Sequence, residues 1–282
     1  MKDVSGKTAF ITGGASGIGL GMARAFGAAG MQVMLADIEA SALDKAVAEL
    51  RGKGVRAESV GCDVSDQESV FAAAKAAIDA FGKVHVLCNN AGVSVGGAVE
   101  ELPTSDWDWV IGVNQMGVVY GLQALLPHMK QHGEAGHVVN TASMAGMVNM
   151  DPFWSPYNAT KFAVVSISEV LRKELRDTAI GASVLCPGPV NTRILEADRN
   201  RPGRFGEMTS AVAGTDITSF IQEGLAPDTV GELVLSAIQA EQFYIFTEPP
   251  YRVLVERRFA EIMEGFDWAT AHPLLASRQR KK

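Results

Sequence analysis

The chain has 282 residues, of which 47% are apolar and 20% are charged, and its net charge is −7 at pH 7. This apolar fraction excludes intrinsic disorder, and the length suffices for one large α/β domain. No run reaches about 18 apolar residues without a charge, so we expect no transmembrane helix. The basic residues form no stripe, which argues against a nucleic-acid or membrane partner, and we interpret their one cluster, at residues 278–282, as a solvated tail.

The N-terminal segment and the cysteines predict the compartment. The first residues show no apolar run followed by a small-residue cleavage site, so we expect no secretory signal. Cys62, Cys88 and Cys186 each end a short apolar run, and they form no CxxC pair. An odd number of unpaired cysteines favours buried free thiols in a reducing compartment. We therefore predict a cytoplasmic protein.

Short apolar runs alternate with segments of helical periodicity along most of the chain. The runs are continuous, which is typical of strands buried on both faces of a parallel sheet. They lie at residues 8–12, 31–36, 55–61, 84–88, 137–141, 182–186 and 243–247. This alternation predicts an α/β fold with a single doubly wound parallel sheet in three α/β/α layers, over residues 1–250. Residues 65–68 (Ser-Asp-Gln-Glu) predict a capping box, with Ser65 as the cap of the third helix.

Two segments depart from this alternation. Residues 191–225 are rich in glycine and charge and lack sustained periodicity, which predicts a loop that covers a binding site. Residues 251–282 form a C-terminal helical extension and basic tail, and Val255, Phe259 and Ile262 begin an apolar stripe in it. We expect this helix to pack on the domain or on a partner subunit, and a membrane-surface helix is the alternative.

A glycine-rich turn follows the first predicted strand directly. Gly13, Gly17 and Gly19 give the spacing GxxxGxG, and a helix is predicted from about Gly17 to Ala29. Glycine permits a tight turn and a close approach of the backbone, and a helix N-terminus presents free N–H groups to an anion. The turn therefore predicts a phosphate cradle, although a purely structural turn could have the same sequence.

The second predicted strand ends at Asp37, 18 residues after Gly19. This spacing is near that of a carboxylate that accepts hydrogen bonds from a ribose 2′-hydroxyl, and the same charge would repel a 2′-phosphate. Ser16 and Ile38 are neutral, so no neighbouring arginine is expected to hold that phosphate. These features favour NAD over NADP as the cofactor. The alternative is that Asp37 only caps the helix that follows.

A tyrosine and a lysine lie on one face of a predicted helix. Tyr157 and Lys161 are four residues apart, after a proline that suits the first helical turn. Ser143 lies just past the end of a predicted strand, 14 residues before Tyr157. Ligands of parallel α/β sheets bind beyond the carboxyl ends of the strands, so we expect these three side chains to form a catalytic site.

Together these motifs resemble those of the short-chain dehydrogenase/reductase (SDR) family, which implies a Rossmann domain and NAD(P)-dependent oxidoreductase activity. They occur in the family's order within residues 5–250, and they are Thr12-Gly13-x3-Gly17-Ile18-Gly19, Asp63-Val64, Asn89-Asn90-Ala91-Gly92, Asn114, Ser143, Tyr157-x3-Lys161 and Pro187-Gly188-Pro189-Val190-Asn191-Thr192. Shorter stretches are also similar to the bacterial aryl-ether Cα-dehydrogenases, and these are Phe10–Gly19, Trp109–Asn114, Glu196–Arg204 and Tyr244–Phe266.

The resemblance implies a role for each catalytic residue. Tyr157 would be the general acid/base, with its pKa lowered by Lys161 and an oxidised nicotinamide. Ser143 would align the substrate oxygen, and Asn114 would hold a water that links Lys161 to solvent. The implied reaction is a hydride transfer that interconverts a secondary alcohol and a ketone.

The resemblance also implies a set of cofactor contacts. These are Gly13, Ser16, Gly17, Ile18, Gly19, Asp37, Asp63, Val64, Asn90, Ala91, Gly92, Tyr157, Lys161, Pro187, Gly188, Val190 and Thr192. Asp63 and Val64 would contact the adenine, and Val190 and Thr192 would contact the nicotinamide carboxamide. The alternatives are that Asn90 chiefly ties neighbouring strands together and that Asp63 is a turn residue.

The residues expected around the substrate are mostly apolar or aromatic. They follow strand ends or adjoin Tyr157, and they are Ser94, Val95, Met144, Ala145, Met147, Val148, Phe153 and Trp154. They indicate a bulky apolar or aromatic alcohol or ketone, although ordinary packing would use similar residues. His128 and His132 lie four residues apart near a helix end, but the ligands and motif of a metal site are missing, so we predict no metal.

Two other functions remain open at this point. One is an NADPH-dependent 3-oxoacyl-type reductase, and the other is a dinucleotide-binding regulator without turnover. A preference for NADPH over NADH would support the first alternative, and NADH binding without any turnover would support the second. The resemblance implies a homodimer or homotetramer as the assembly.

Overall fold

A parallel sheet of seven strands forms the centre of the part of the chain that the structure describes. Every neighbouring pair is parallel, and the order is β3-β2-β1-β4-β5-β6-β7. The strands are β1 (Thr8–Thr12), β2 (Gln32–Asp37), β3 (Ala57–Gly61), β4 (Val86–Asn89), β5 (Gly136–Thr141), β6 (Ile180–Cys186) and β7 (Tyr244–Phe246). The strand order reverses between β1 and β4, which opens a crevice beyond their carboxyl ends. The predicted doubly wound α/β fold is confirmed.

This computed structural model describes residues 1–149, 152–207 and 215–275, and at residues 215 and 216 it describes the backbone alone. Contacts divide the chain into two units, Met1–Thr247 and Glu248–Lys282. The predicted basic tail at residues 278–282 lies outside the described residues.

Helices flank the sheet and complete its layers. Those of the first unit are α1 (Gly17–Ala28), α2 (Ala40–Gly52), α3 (Gln67–Phe81), α4 (Thr104–Ile111), α5 (Gly117–His132), α6 (Ser155–Glu174), α7 (Thr215–Gln222) and α8 (Pro227–Ala240). Phe26, Leu50 and Val230, from α1, α2 and α8, belong to one buried apolar cluster with residues of the sheet. The second unit contains α9 (Arg252–Ala271), which carries ion pairs between residues four apart in sequence.

Position in the sheet explains the burial of each strand. All residues of the inner strands β1, β4 and β5 are buried, as their continuous apolar runs predict. β3 lies at the edge of the sheet, and after the buried Ala57 its residues alternate between half-buried and exposed positions. The sequence of β3 therefore follows the two-residue period of a strand with one solvated face.

The start of α3 corrects the predicted capping box. The cap is Asp66, whose Oδ1 accepts a hydrogen bond from the Glu68 backbone N–H at 2.9 Å. Ser65 instead donates its hydroxyl hydrogen bond to Asp63 Oδ1 at 2.6 Å. The turn at Asp63 thus occupies Ser65, and the cap moves one residue along the chain.

The segment from α4 to α5 is helical throughout, with a π-helical turn at Gly112–Met116. By length and composition alone, Thr104–His132 could cross a membrane. Trp109, Leu125 and Met129 in this segment are fully buried. Packing of a core helix beside the sheet explains its apolar composition.

The two ends of the predicted loop at residues 191–225 lie next to each other. Val190 and Leu225 form an isolated parallel bridge, and the Asn191 backbone N–H donates to the Leu225 carbonyl at 2.9 Å. The loop contains helical turns at Ile194–Asn200 and Gly203–Phe205, followed later by α7. Residues 208–214, which belong to the predicted loop, lie outside the described residues.

Candidate active site

A cleft at the carboxyl ends of the strands contains most of the predicted site residues. The predicted residues that line it are Gly13, Ser16, Gly17, Ile18, Asp37, Asp63, Val64, Asn90, Ala91, Gly92, Ser143, Tyr157, Lys161, Pro187, Gly188, Val190 and Thr192. Gly19 and Asn114 are not among the lining residues. The fold therefore brings residues from seven separate chain segments to one surface.

The glycine turn between β1 and α1 leaves room for an anion. Gly13 has a φ of +62°, and a Cβ built there would lie 2.9 Å from the Ala91 Cα. Ser16 makes no capping hydrogen bond to α1, and the first turn of the helix contains no acidic residue. The N–H groups of that turn thus point at the cleft without a side-chain acceptor, which suits the pyrophosphate of a dinucleotide.

Asp37 connects the glycine turn to the start of α2. Its Oδ2 accepts from the Ala15 backbone N–H at 3.0 Å, and its Oδ1 accepts from the Glu39 N–H at 3.1 Å. Burial raises the pKa of this carboxyl, and these hydrogen bonds oppose the rise. A carboxylate has about four lone-pair directions, so Asp37 can bind these backbone groups and still accept from a ribose hydroxyl. The alternative that Asp37 caps α2 is wrong, because the N-cap of α2 is Glu39 and the N–H groups of Ala15 and Glu39 that bind Asp37 lie outside that helix.

Ser143, Tyr157 and Lys161 lie close together where β5 ends and α6 begins. Ser143 lies close enough to Tyr157 to lower the pKa of its phenol, and Ser143 Oγ accepts from the Ala145 N–H at 3.0 Å. Lys161 Nζ lies 5.5 Å from the centre of the Tyr157 ring and donates to the Thr141 carbonyl at 3.0 Å. This arrangement places one phenol, one hydroxyl and one ammonium group around a common point.

Burial shifts the pKa values of this group away from the charged forms. Burial raises the pKa of Tyr157, and the hydrogen bond from Ser143 only partly opposes the rise. Burial lowers the pKa of Lys161 to about 8. In the chain alone, desolvation is thus the largest cause of the shift in the phenol pKa, and the lowering expected from Lys161 together with an oxidised nicotinamide stays a prediction. At neutral pH the phenol carries its proton.

Asn114 lies behind the cleft surface, in the π-helical turn. Its Oδ1 accepts from the Val93 N–H at 2.8 Å, and its Nδ2 donates to the Val93 carbonyl at 2.9 Å and to Thr160 at 3.2 Å. A Cβ at Gly92 would lie 3.4 Å from Lys161 Nζ and 3.5 Å from Asn114 Oδ1. Asn114 therefore fixes the backbone next to Lys161, and its role in a water relay stays a prediction.

The contacts of Asn90 and Asp63 agree with the structural interpretation of each residue, as a tie between strands and as a turn residue. Asn90 Nδ2 donates to the Thr12 carbonyl at 3.0 Å, and its Oδ1 accepts from Thr141 at 3.3 Å, which ties the ends of three strands together. Asp63 Oδ1 accepts from Ser65, and Asp63 Oδ2 pairs with Arg204 at 2.8 Å. Both residues also line the cleft. Their cofactor contacts stay predictions.

One expectation about charge was wrong. The sequence analysis found no arginine near the end of β2, but Arg193 and Arg199 line the cleft together with Asp37 and Ile38. Both arginines pair with Glu39, which lies 154 and 160 residues away from them in sequence. The sequence did contain a sign of this cationic cluster, because four arginines lie between residues 193 and 204 of an acidic chain.

The other end of the cleft is mostly apolar. Of the predicted walls, Ser94, Met144, Ala145, Val148 and Trp154 line it. Val95 and Met147 do not line it, and neither does Phe153, which is 60% exposed. Trp109 and Val113 also line the cleft and were not predicted, whereas the predicted loop at 191–225 contributes the lining residues Ile194, Leu195, Ile217, Phe220 and Ile221. The last three recur at helical spacing on one face of α7.

The cysteines and two of the histidines have structural explanations, although Cys62 also lines the cleft. Cys62, Cys88 and Cys186 are free and buried, and burial raises the pKa of each thiol. His128 Nε2 accepts from the Val84 N–H at 3.3 Å, and His132 bonds the Val84 carbonyl at 2.9 Å. Within residues 1–149, 152–207 and 215–275, no group of three His, Cys, Asp or Glu side chains could hold a metal ion.

Comparison with known proteins gives consistent results. The short chain dehydrogenase family matches residues 7–203. A protein named C alpha-dehydrogenase, from Sphingobium sp., is 37% identical over 271 residues, which cover 94% of this chain and 88% of that protein. These matches confirm both resemblances that the sequence analysis drew.

Two solved structures bear on the cofactor. A short chain dehydrogenase/reductase from Burkholderia phymatum in complex with NAD has a TM-score of 0.90 and 40% identity, over 94% of this chain and 97% of that one. An actinorhodin polyketide ketoreductase with NADPH has a TM-score of 0.74 and 31% identity, over 88% of this chain and 97% of that one. Proteins similar to this chain thus bind either dinucleotide.

Proposed function

Because the chain belongs to the short chain dehydrogenase family of oxidoreductases, we propose that it interconverts a bulky apolar or aromatic secondary alcohol and its ketone, with NAD as the preferred cofactor. The observation that carries this proposal is a single cleft that Ser143, Tyr157 and Lys161 line together with the glycine turn and an apolar wall. A bound nicotinamide would exchange a hydride with the substrate carbon and, when oxidised, add a positive charge near the phenol.

The residues of this chain supply orientation and a proton. Ser143 can donate a hydrogen bond to the substrate oxygen and hold it against the Tyr157 hydroxyl. The raised pKa of Tyr157 keeps its proton on the phenol at neutral pH, where it can protonate the oxygen of a ketone during reduction. Lys161, near the phenol, favours the phenolate that remains. In the oxidative direction the same phenolate takes the proton back.

The preference for NAD is supported by Asp37. This carboxylate lines the cleft at the end of β2, where it can accept from both ribose hydroxyls and repels a 2′-phosphate. The structure with NAD from Burkholderia phymatum is consistent with this preference. A Kd for NADPH below that for NADH would contradict it and favour the 3-oxoacyl-type reductase.

The substrate class is supported by the apolar wall. Trp109, Val148, Trp154 and Phe220 bring aromatic and branched side chains to the end of the cleft near Tyr157. The Trp154 and Tyr157 rings meet edge to face, with their centres 6.2 Å apart. The Sphingobium relative is named a C alpha-dehydrogenase, and we therefore place aryl carbinols first among the candidate substrates.

We also propose that the protein is a cytoplasmic homodimer or homotetramer. The three free thiols suit a reducing compartment. Sedimentation analysis of the purified chain tests the assembly, and a monomer at micromolar concentration would contradict it.

The experiment is an absorbance screen for NADH formation with aryl carbinols, hydroxysteroids, polyols and 3-hydroxyacyl thioesters. We expect turnover of an aryl carbinol, abolished by Tyr157→Phe without loss of NADH binding or of the fold. Tyr120→Phe, on α5 outside the cleft lining, is the matched control and should retain activity. A Tyr157→Phe variant with most of its activity would show that the mechanism is wrong, and tight NADH binding without any turnover would favour the regulator.

A further inference from the structure

Two cations of the loop bind one carboxylate at the end of β2. Glu39 Oε1 accepts hydrogen bonds from Arg199 Nε at 3.1 Å and Nη2 at 2.9 Å, and from Asn200 Nδ2 at 2.9 Å. Arg193 Nη2 lies 3.4 Å from the same oxygen. Burial opposes ionisation of Glu39, but the hydrogen bonds from Asn200 and Arg199 hold its pKa below the usual range. Glu39 is therefore a carboxylate at neutral pH.

This cluster lies beside the carboxylate that the proposed function uses to select the cofactor. Asp37, Arg193 and Arg199 line the cleft, whereas Glu39 does not. The guanidinium groups thus have the cleft on one side and Glu39 on the other. Their position at the end of β2 is the position expected for the 2′-substituent of a bound ribose.

The segment that carries the arginines is also anchored without Glu39. Ser94 Oγ donates to the Ile194 carbonyl at 3.0 Å. Arg201 pairs with Asp106 at 2.6 Å, and both side chains are almost completely buried. Loss of the Glu39 charge would therefore leave both arginines at the cleft.

The local charges decide what those arginines can bind. The formal charges of Arg193 and Arg199 are cancelled by those of Asp37 and Glu39. A phosphate monoester carries close to two negative charges at neutral pH and needs guanidinium groups whose donors are free for it. With a neutral residue at position 39 the sum becomes +1, and the donors that Glu39 occupies become available.

We propose that Glu39 is a specificity-determining residue, because by pairing with Arg193 and Arg199 it keeps both guanidinium groups from binding a 2′-phosphate. This inference rests on the proposed dinucleotide site. Asp37 already repels a 2′-phosphate. The Glu39 pairing adds a second means of excluding NADP, because Glu39 occupies the arginines that would bind this phosphate. Discrimination then depends on an acidic residue that need not touch the cofactor.

Calorimetric binding of 5′-AMP and 2′,5′-ADP tests the inference without any turnover, since the two probes differ only in the 2′-phosphate. In Glu39→Gln we expect the Kd of 2′,5′-ADP to fall about tenfold, from two charge-assisted contacts, while the Kd of 5′-AMP changes less than about twofold. Adding Arg193→Gln and Arg199→Gln to this variant should reverse the gain. Thermal unfolding of each variant checks that the fold is retained.

Glu49→Gln is the matched control. Glu49 lies on the same helix, α2, and pairs with Arg24 and Lys53 outside the cleft lining. The Glu49→Gln substitution changes the net charge by the same amount as Glu39→Gln, and it should leave the Kd values of 5′-AMP and 2′,5′-ADP unchanged. An unchanged Kd of 2′,5′-ADP in Glu39→Gln, an equal gain in Glu49→Gln, or a gain that survives loss of both arginines would each overturn the inference. A wild-type preference for NADPH would instead contradict the proposed cofactor, because the inference concerns the change on substitution.

Discussion

The two ends of the cleft are built in different ways. The cofactor end, which we define as the glycine turn and the end of β2, consists of short segments that follow directly from strands. The substrate end, defined as the residues after β5 and the loop at 191–225, depends on side chains that are distant in sequence. Arg201 of the loop pairs with Asp106, 95 residues earlier, and Ser94 holds Ile194. Backbone geometry therefore builds most of the first end, where the pairing of Glu39 with Arg193 and Arg199 is the exception, and side-chain pairing builds the second.

The catalytic lysine stands between the two ends, and its loss should affect both. In Lys161→Met we expect kcat/KM to fall about 10³-fold, because the charge that favours the Tyr157 phenolate is lost. NADH binding should also weaken, because Lys161 lines the cleft. Lys173→Met, near the end of the same helix, is the control and should behave as the wild type. Equal activity of the two variants would contradict the assigned role.

Breaking the buried ion pair of the loop should affect the substrate end of the cleft much more than the cofactor end. Arg201→Met removes one member of the buried ion pair with Asp106, and breaking such a pair typically costs about 3 kcal/mol. We expect a lower Tm and a raised KM for the alcohol, with the Kd of NADH changed much less. Arg252→Met, which removes an exposed pair with Glu256 on α9, is the control for a surface charge. A Kd for NADH that rises as much as KM would show that the two ends are not independent.

The sequence predicts the features that depend on local backbone geometry better than those that depend on distant side-chain pairing. The spacing of Gly13 to Gly19 and the four-residue step from Tyr157 to Lys161 are local, and each depends on a single turn or helix. Strand positions were also predictable, because buried parallel strands are continuous apolar runs. The predicted and observed ends of the strands differ by at most two residues, because the residue type does not determine the last ladder hydrogen bond.

The remainder of the site depends on tertiary packing. No local pattern shows that Glu39 binds Arg193 and Arg199, because the pairing exists only after the loop has folded back over β2. The position of Asn114 behind the cleft likewise follows from the π-helical turn and from its bonds to Val93. Burial, which sets the direction of the pKa shifts, is a property of the folded chain and not of the motif.

The dependence of stability on pH tests the burial of Lys161 directly. Its pKa is lowered from 10.5 to about 8, so between these pH values the unfolded chain binds the proton that the folded chain has released. Unfolding free energy therefore rises with pH in this window through this group, and below pH 8 the cost of the buried charge is fully present. In Lys161→Met that rise should be absent. Urea titrations of both proteins from pH 7 to 10 measure the difference, and parallel curves would contradict a lowered pKa.

The smallest expected effect lies at the wall of the substrate end. Trp154 lines the cleft and meets the Tyr157 ring edge to face, so Trp154→Ala should remove apolar contact with an aryl substrate. We expect KM for an aryl carbinol to rise about fivefold, within the range of one aromatic contact, with the Kd of NADH unchanged. Trp268→Ala, on the exposed surface of α9, is the matched control. A fall in kcat without a change in KM would indicate that Trp154 positions Tyr157 and does not bind the substrate. An unchanged KM and kcat would remove Trp154 from the substrate wall and leave the loop residues to define it.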